Sequence, residues 1–158
     1  NFGVAAAWAE VLLCAADWGR AAALFEEMGG RGQCPPAALW ARLVRGLLGA
    51  GEVRRAQAAV TALQLGLKQP TFETELATLQ TAAVTGDEAA ALRSRAFLRM
   101  ATPQHQVNTL ALEALAKANR NSTELLWHLN QWESEIPAPP DPSAYAVVLR
   151  ALVDEDVA

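Results

Sequence analysis

Paired carboxylates, two histidines and two cysteines are the side chains of this 158-residue chain that could do chemistry. Two carboxylates in one site can act as a general acid and a general base. Neighbouring glutamates occur at Glu26 and Glu27, Glu73 and Glu75, and Glu133 and Glu135. Each pair falls in a stretch with helical periodicity, on a side that looks exposed. We therefore expect all three pairs to be solvated rather than catalytic.

The histidines and cysteines do not have the spacing of a metal site or a redox site. His105 and His128 lie far apart, with no carboxylate or cysteine at metal-ligand spacing. Cys14 falls in an apolar helix and Cys34 in a turn, which predicts a core thiol and a turn thiol in a reducing compartment. The sequence also has no nucleophile–base pair, phosphate-cradling glycine loop or dinucleotide fingerprint. We predict a protein that is not an enzyme and binds no metal, cofactor or small-molecule substrate.

The formal net charge of −4 is unevenly distributed. Residues 1–120 carry 12 basic and 10 acidic side chains, whereas residues 121–158 carry 1 and 7. The first part could tolerate a polyanion around five basic residues: Arg42, Arg45, Arg54, Arg55 and Lys68. The acidic last part would repel one, and the chain lacks the strongly basic face of an electrostatically driven nucleic-acid binder. No apolar run approaches the roughly 18 residues of a membrane span, which predicts no membrane insertion.

The elements that must position these side chains follow a period of about 34 residues. Turn residues fall at Asp17, Gly51, Gly86 and Asn119, and prolines at Pro35/Pro36, Pro70, Pro103 and Pro137. Such a period is typical of stacked helical hairpins, each of which cannot bury its apolar face alone. We predict an all-α fold, a right-handed α-solenoid of helix-turn-helix repeats. One array over residues 1–158, which we expect to be part of a longer protein, contains repeats at about 3–36, 37–70, 71–103 and 104–140 and a partial repeat at 141–158.

Apolar stripes at helical spacing place the individual helices. In the clearest stripe, residues recur at i, i+3, i+4, i+7 and i+8: Trp40, Leu43, Val44, Leu47 and Leu48. The last predicted helix repeats that spacing with Tyr145, Val148, Leu149, Leu152 and Val153. The pattern predicts nine helices at residues 3–16, 18–29, 37–49, 52–65, 72–85, 87–101, 104–118, 123–135 and 142–153.

Capping residues agree with these boundaries. The predicted N-terminal caps are Asp17, Asp87, Ser122, Thr102 before Pro103, and Asp141 before Pro142. The predicted left-handed residues after helices are Gly32, Gly51 and Gly66. The stretch Asn121-Ser122-Thr123 matches a glycosylation acceptor, but a turn followed by a helix cap explains it better.

Several stretches follow the pattern of a known helical repeat. Residues 21–35, Ala-Ala-Ala-Leu-Phe-Glu-Glu-Met-Gly-Gly-Arg-Gly-Gln-Cys-Pro, follow its second helix and exit turn. Residues 39–56 follow its first helix, its Ala-Gly turn and the entry to its second helix, and residues 118–120 and 141–152 are weaker copies. The chain thus resembles a pentatricopeptide repeat protein. The tetratricopeptide repeat, which has the same hairpin, is the alternative at the level of fold.

The resemblance implies a superhelix whose first helices line the concave face, with single-stranded RNA as the usual ligand and a mitochondrion or plastid as the location. In such repeats two or three side chains read one base. The matching early-helix position holds Ala6, Ala41 and Ala146, whose methyl groups cannot hydrogen-bond a base edge, and Thr71 and Thr109 align poorly. The candidate residues for binding RNA or a partner are Ala41, Arg42, Arg45 and Asp141.

Two functions remain open at this point. One is an RNA-associated protein of RNA processing, stability or translation, which the resemblance and the arginines favour. The other is a structural or adaptor subunit of a large organellar complex, which the alanines at the reading positions and the acidic final segment favour. Trp127 and Trp132 are candidate protein-contact residues, and exposure of Trp132 would mark it as an anchor. Trp8 and Trp40 align with core positions.

Overall fold

The computed structural model describes residues 2–66, 69–101 and 104–157, and the regular structure of these ranges is α-helical. Their nine helices are α1 Phe2–Cys14, α2 Trp18–Gly30, α3 Ala37–Gly49, α4 Val53–Gly66, α5 Phe72–Thr85, α6 Glu88–Ala101, α7 His105–Lys117, α8 Ser122–Glu133 and α9 Pro142–Val157. The predicted all-α class is confirmed. The predicted boundaries are correct to within two residues, except at the end of α9. The predicted cap at Thr102 lies outside the described residues.

The chain divides into two compact units, Asn1–Ala77 and Thr78–Ala158, and the division falls within α5. In the first unit, α1 packs against α2 and α3 packs against α4, so that each pair forms a hairpin. The two first helices, α1 and α3, are also in contact, as are the two second helices, α2 and α4. Contacts of this kind are those of two hairpins stacked on each other.

The core of the first unit contains the apolar stripe that the sequence predicts on α3. Leu43, Val44 and Leu47 are fully buried. Trp40 is also buried, and its ring meets that of Phe25 edge to face with the centroids 4.7 Å apart. This geometry suits the quadrupoles of the two rings and fixes α2 against α3.

A glycine lets α2 approach α3 closely. A Cβ atom built on Gly46 of α3 would overlap the ring of Trp18, the first residue of α2. Any residue larger than glycine at position 46 would therefore push the indole aside. Gly49, one turn further along the same helix, has nothing within 4 Å of its Cβ position.

In the second unit, α7 contacts α6, α8 and α9, and α8 also contacts α9. The core contains six fully buried leucines: Leu79, Leu98, Leu112, Leu115, Leu125 and Leu129. The side of α9 that faces this core is formed by Ala144, Val147 and Val148, whereas Leu149 and Val153 are exposed. The predicted α9 stripe is therefore wrong except at Val148, because small side chains allow closer packing against α7.

A residue with positive φ lies in four of the turns between successive helices. These residues are Ala16 (55°), Gly51 (77°), Gly86 (78°) and Asn119 (62°). Three of the four turn positions match the prediction, and Gly32 after α2 is also left-handed as predicted (69°). The first turn differs by one residue, because Asp17 caps α2 and leaves Ala16 in the left-handed region, which is costly for a residue with a Cβ atom.

Most predicted caps are confirmed. The carboxylates of Asp17 and Asp87 each accept a hydrogen bond from a backbone N–H of the next helix, at 3.2 and 3.0 Å. The cap of α8 is Asn121 rather than Ser122, since its side-chain oxygen accepts from the Glu124 backbone N–H at 2.8 Å. Gly66 is the last residue of α4 and is not left-handed, so that prediction is wrong.

Candidate functional site

The three candidate binding residues on α3 lie in different environments. Ala41 is only 8% exposed and belongs to the hydrophobic core, so the structure places it away from any accessible binding face. Its methyl group fills space between helices, which a polar base-reading side chain would not do. Arg42 and Arg45 are exposed. Arg42 donates a hydrogen bond to Sγ of Cys14 at 3.5 Å, and Cys14 is itself exposed rather than in the core.

The other base-reading candidates are engaged in local backbone contacts. Asp141 is half-buried, and one of its carboxylate oxygens accepts a hydrogen bond from the Ser143 backbone N–H at 3.0 Å. This bond lowers the pKa of Asp141 and makes the residue a cap of α9. The hydroxyls of Thr71 and Thr109 are likewise hydrogen-bonded within their own segments.

The tryptophans do not all lie where the sequence predicts. Trp132 is only 7% exposed, and the guanidinium carbon of Arg95 lies 4.1 Å from the centroid of its ring. Trp127 is 59% exposed, so it is the accessible member of the two contact candidates. Trp40 is in the core as predicted, but Trp8 is 54% exposed.

A buried polar cluster connects α6, α7 and the end of α8. Nε of Arg95 donates to Asn108 at 2.9 Å, and Nδ2 of Asn108 donates to Glu133 at 3.0 Å. The second carboxylate oxygen of Glu133 lies 2.8 Å from Nδ1 of His105. Glu135, just after α8, accepts a further hydrogen bond from Arg95 at 3.0 Å.

The polar cluster corrects the expectation that Glu133 is solvated. Glu133 is buried, because α8 turns this face toward α7, whereas Glu26, Glu27 and Glu73 are exposed as predicted. Both carboxylate oxygens of Glu133 have partners on α7, so the cluster connects α7 to the end of α8. Burial lowers the pKa of the Arg95 guanidinium, and the hydrogen bond to Glu135 opposes that shift.

A groove of about 690 Å³ lies between α7 and α9 in the second unit, and we call it the α7–α9 groove. Its floor includes small residues such as Ala116 and Ala151. Its walls carry six charged side chains of both signs: Glu113, Asp154, Glu155, Lys117, Arg120 and Arg150. The groove is lined by residues of α7 and α9, by the turn after α7, and by Ala83 of α5.

Glu155 holds one wall of this groove in place. Its carboxylate accepts a hydrogen bond from the Ser122 hydroxyl at 2.7 Å and another from the Ser122 backbone N–H at the start of α8. These two bonds lower the pKa of Glu155. They also explain why α9 continues to Val157, four residues beyond the predicted end, because the last helical turn is anchored on α8.

A second, smaller concavity surrounds the exposed tryptophan of α8, and we call it the Trp127 pocket. It has a volume of about 500 Å³. Besides Trp127, its lining includes Glu88, Arg120, Thr123, Glu124 and His128. Arg120 donates two hydrogen bonds to Glu88, at 3.0 and 2.9 Å, and lies 3.6 Å from Glu124.

Comparison of the sequence with protein-family models and with curated proteins gives no match. The pentatricopeptide repeat therefore stays a resemblance carried by residues 21–35 and 39–56. Within the described ranges, no group of three potential metal-ligating side chains lies close enough to hold an ion. The same ranges contain no helix with the length and apolarity to cross a bilayer.

Sequence reasoning missed both concave surfaces of the second unit. The α7–α9 groove combines residues from three elements, and periodicity assigns residues to helix faces without showing which faces stay open. The signal for the Trp127 pocket was present, because Glu124 and Trp127 are one helical turn apart on α8. Their partner Arg120 could not be identified without the fold.

Proposed function

We propose that this protein is an α-solenoid binding protein that serves as an adaptor or structural subunit of a larger assembly. The ligand that suits it best is a segment of another protein. Stacking of α1 on α3 in one unit and contact of α7 with α9 in the other support the solenoid. The resemblance to the pentatricopeptide repeat supports its right-handed form and a location in a mitochondrion or plastid.

The observation that carries this proposal is the balance of charge in the α7–α9 groove. Three carboxylates and three cations line the groove, so its formal charge is balanced. A nucleic-acid backbone entering the groove would meet Glu113 and Asp154, and nucleic-acid sites need an excess of positive charge. A polypeptide with side chains of both signs would be compatible with the same walls, since complementary charges fix register at protein interfaces.

Sedimentation of native extracts tests this proposal. We expect the protein to sediment with a large particle, and ribonuclease treatment should leave that particle intact. Arg150→Glu, which reverses one charge of the groove, should move the protein toward the free fraction. Arg93→Glu makes the matched control, because Arg93 is exposed on α6 and lies outside the groove. A protein that sediments alone in untreated extract would contradict the proposal.

RNA association is the second candidate function, and exposed arginines of the first unit favour it. Among the described residues, Arg45 and Arg54 form no ion pair, so both are free to contact phosphate. Arg55 instead pairs with Glu52 at 2.7 Å, and Lys68 lies outside the described residues.

A filter-binding titration with a random single-stranded RNA pool at low salt tests this candidate. If the protein binds RNA through Arg45, the wild type should bind the pool measurably and Arg45→Glu should bind it more weakly. Loss of one arginine–phosphate contact lowers the affinity for RNA and also makes that affinity less dependent on salt. Arg20→Glu is the control, since Arg20 is exposed but pairs with Asp17. Absence of binding, or equal binding by both variants, would exclude the α3 arginines as an RNA site.

A further inference from the structure

The exposed Trp127 ring is the last member of a chain of contacting side chains that begins at buried Arg95. Arg95 lies 4.1 Å from the ring centroid of buried Trp132, whose centroid is 4.8 Å from that of His128. The His128 and Trp127 centroids are 4.9 Å apart at 75°. The exposed indole is therefore supported from below by the core of the second unit. A supported aromatic ring loses little conformational entropy on binding, which is typical of an interface anchor.

The charges around this ring favour a cationic ligand. Glu88 and Glu124 contribute two negative charges to the Trp127 pocket, and Arg120 contributes one positive charge. Burial, followed by the nearby charge of Arg95, lowers the pKa of His128, so the imidazole adds no positive charge at neutral pH. The pocket thus carries a net charge of about −1 under the ordinary ionisation of its groups.

The unit around the pocket has the same sign of charge. Residues 78–158 contain 6 arginines and lysines against 10 aspartates and glutamates, a net of −4. Attraction of a cation toward this surface would therefore begin before contact. An anionic ligand would meet repulsion, and the guanidinium that could bind it, Arg120, already bonds both carboxylate oxygens of Glu88.

We propose that the Trp127 pocket binds an arginine or lysine side chain from a basic segment of a protein partner. Glu124 and Trp127 lie one turn apart on α8 and line the same concavity, which puts a carboxylate beside the exposed ring. Arg120 lies 3.6 Å from Glu124, so an incoming cation would share this carboxylate with Arg120. A cation over an indole and beside a carboxylate gains from both contacts. This inference rests on the proposed function in one respect, that the ligand is a protein.

Fluorescence anisotropy with labelled peptides tests this assignment on the whole chain. The probes are an eight-residue peptide alternating arginine and alanine, its counterpart alternating glutamate and alanine, and a single-stranded RNA of eight nucleotides. We expect the arginine peptide to bind more tightly than either of the other probes. Trp127→Ala should weaken its binding about fivefold or more, and Trp127→Phe should restore part of the loss.

Matched variants separate the pocket from general effects. Trp8→Ala removes a tryptophan of similar exposure from the first unit and should leave the arginine peptide's affinity unchanged. Glu124→Gln should weaken binding, whereas Glu26→Gln, at an exposed site on α2, should not. Circular dichroism of each variant confirms that the helices remain folded.

Three results would overturn the assignment. The first is an equal loss of arginine-peptide affinity in Trp127→Ala and Trp8→Ala. The second is an unchanged affinity in Trp127→Ala. The third is tighter binding of the glutamate peptide, or tighter binding of the RNA that Trp127→Ala weakens. The pocket assignment and the proposed adaptor function can fail separately, and the two experiments distinguish these failures. If the protein sediments with a ribonuclease-resistant particle but Trp127→Ala has no effect on the arginine peptide, only the pocket assignment is wrong.

Discussion

Each unit has a buried tryptophan, but the side chains that contact it differ between the two units. In the first unit, Trp40 meets the ring of Phe25, and the surrounding core is apolar. In the second unit, Trp132 meets the guanidinium of Arg95, which is held by Asn108 and Glu135. An apolar core tolerates exchange of one hydrophobic residue for another, whereas a buried charge requires each of its partners. The second unit therefore has the more specific packing, and it also carries the α7–α9 groove and the Trp127 pocket.

The largest expected effect is on the apolar core of the first unit. Leu43→Asp places a carboxylate at a fully buried position, which should cost about 3 kcal/mol or more of the free energy of unfolding. The control Leu65→Asp changes a highly exposed leucine in the last turn of α4 and should cost no more than about 1 kcal/mol, from helix propensity and the helix dipole. Thermal unfolding followed by circular dichroism measures both. An unchanged melting temperature for Leu43→Asp would show that the α3 stripe is not the core.

Removal of the buried cation should be the next largest effect. Arg95→Ala removes the donor to the Asn108 side-chain oxygen and one partner of Glu135. It should cost about 2–3 kcal/mol, reduced because Glu135 is partly exposed. Arg93→Ala, on an exposed side of the same helix, should cost less than about 0.5 kcal/mol. Urea denaturation compares the two. Equal losses in the free energy of unfolding for the two variants would show that the polar cluster does not stabilise the second unit.

The close approach of Trp18 to α3 gives a contrast between two glycines. Gly46→Ala should destabilise the protein by about 1–3 kcal/mol, because the new methyl group overlaps the indole ring. Gly49→Ala, in open space near the end of the same helix, should stabilise it by up to about 1 kcal/mol. The same denaturation experiment gives both values, and a gain from Gly46→Ala would show that α2 and α3 do not approach each other this closely.

Substitution of the left-handed turn residues by glycine should change stability by a smaller amount, and this amount should differ between the two units. Ala16→Gly should stabilise the first unit by about 1 kcal/mol, since a Cβ atom is unfavourable at its φ of 55°. Asn119→Gly should give a smaller gain, because asparagine tolerates this conformation. Ala23→Gly, within α2, is the control and should cost about 1 kcal/mol. A loss from Ala16→Gly would contradict the turn assignment.

The contact between α9 and α8 should depend on pH. The folded pKa of Glu155 lies below its ordinary value of 4.5 because the Ser122 hydroxyl and backbone N–H donate to the carboxylate. Its contribution to stability is therefore present above pH 4.5 and disappears as the pH falls through the folded pKa. The stability difference between the wild type and Glu155→Gln should shrink from pH 7 to pH 3. A constant difference, or the same behaviour in Asp156→Asn, would contradict this role.

Features set by neighbouring residues could be predicted from the sequence. The helices follow from stripes and caps that act within one or two turns, such as Asp17 at the start of α2 and Gly51 after α3. Their recurrence predicted the hairpins of each unit. The end of α9 could not be predicted in this way, because it depends on Ser122, which lies more than thirty residues earlier.

Burial of individual side chains depends on which helix faces are covered, and the sequence does not contain that information locally. Trp8 and Trp40 occupy similar stripe positions, but only Trp40 is enclosed by neighbouring helices. Glu133 resembles any surface glutamate until α7 brings Asn108 and His105 to it. The same limit explains why the predicted binding residues on α3 include a core alanine, whereas the α7–α9 groove was not predicted.

Site-specific photocrosslinking from the α7–α9 groove tests most directly whether the protein binds another protein. The crosslinking residue p-benzoylphenylalanine would replace Asp154, which lines the groove, or Asp156, which is exposed on α9 outside it. We predict that position 154 gives a discrete crosslinked adduct in native extract and that position 156 gives none. Protease should digest the adduct, and ribonuclease should leave it unchanged. An adduct that ribonuclease removes, or equal labelling from the two positions, would contradict the account.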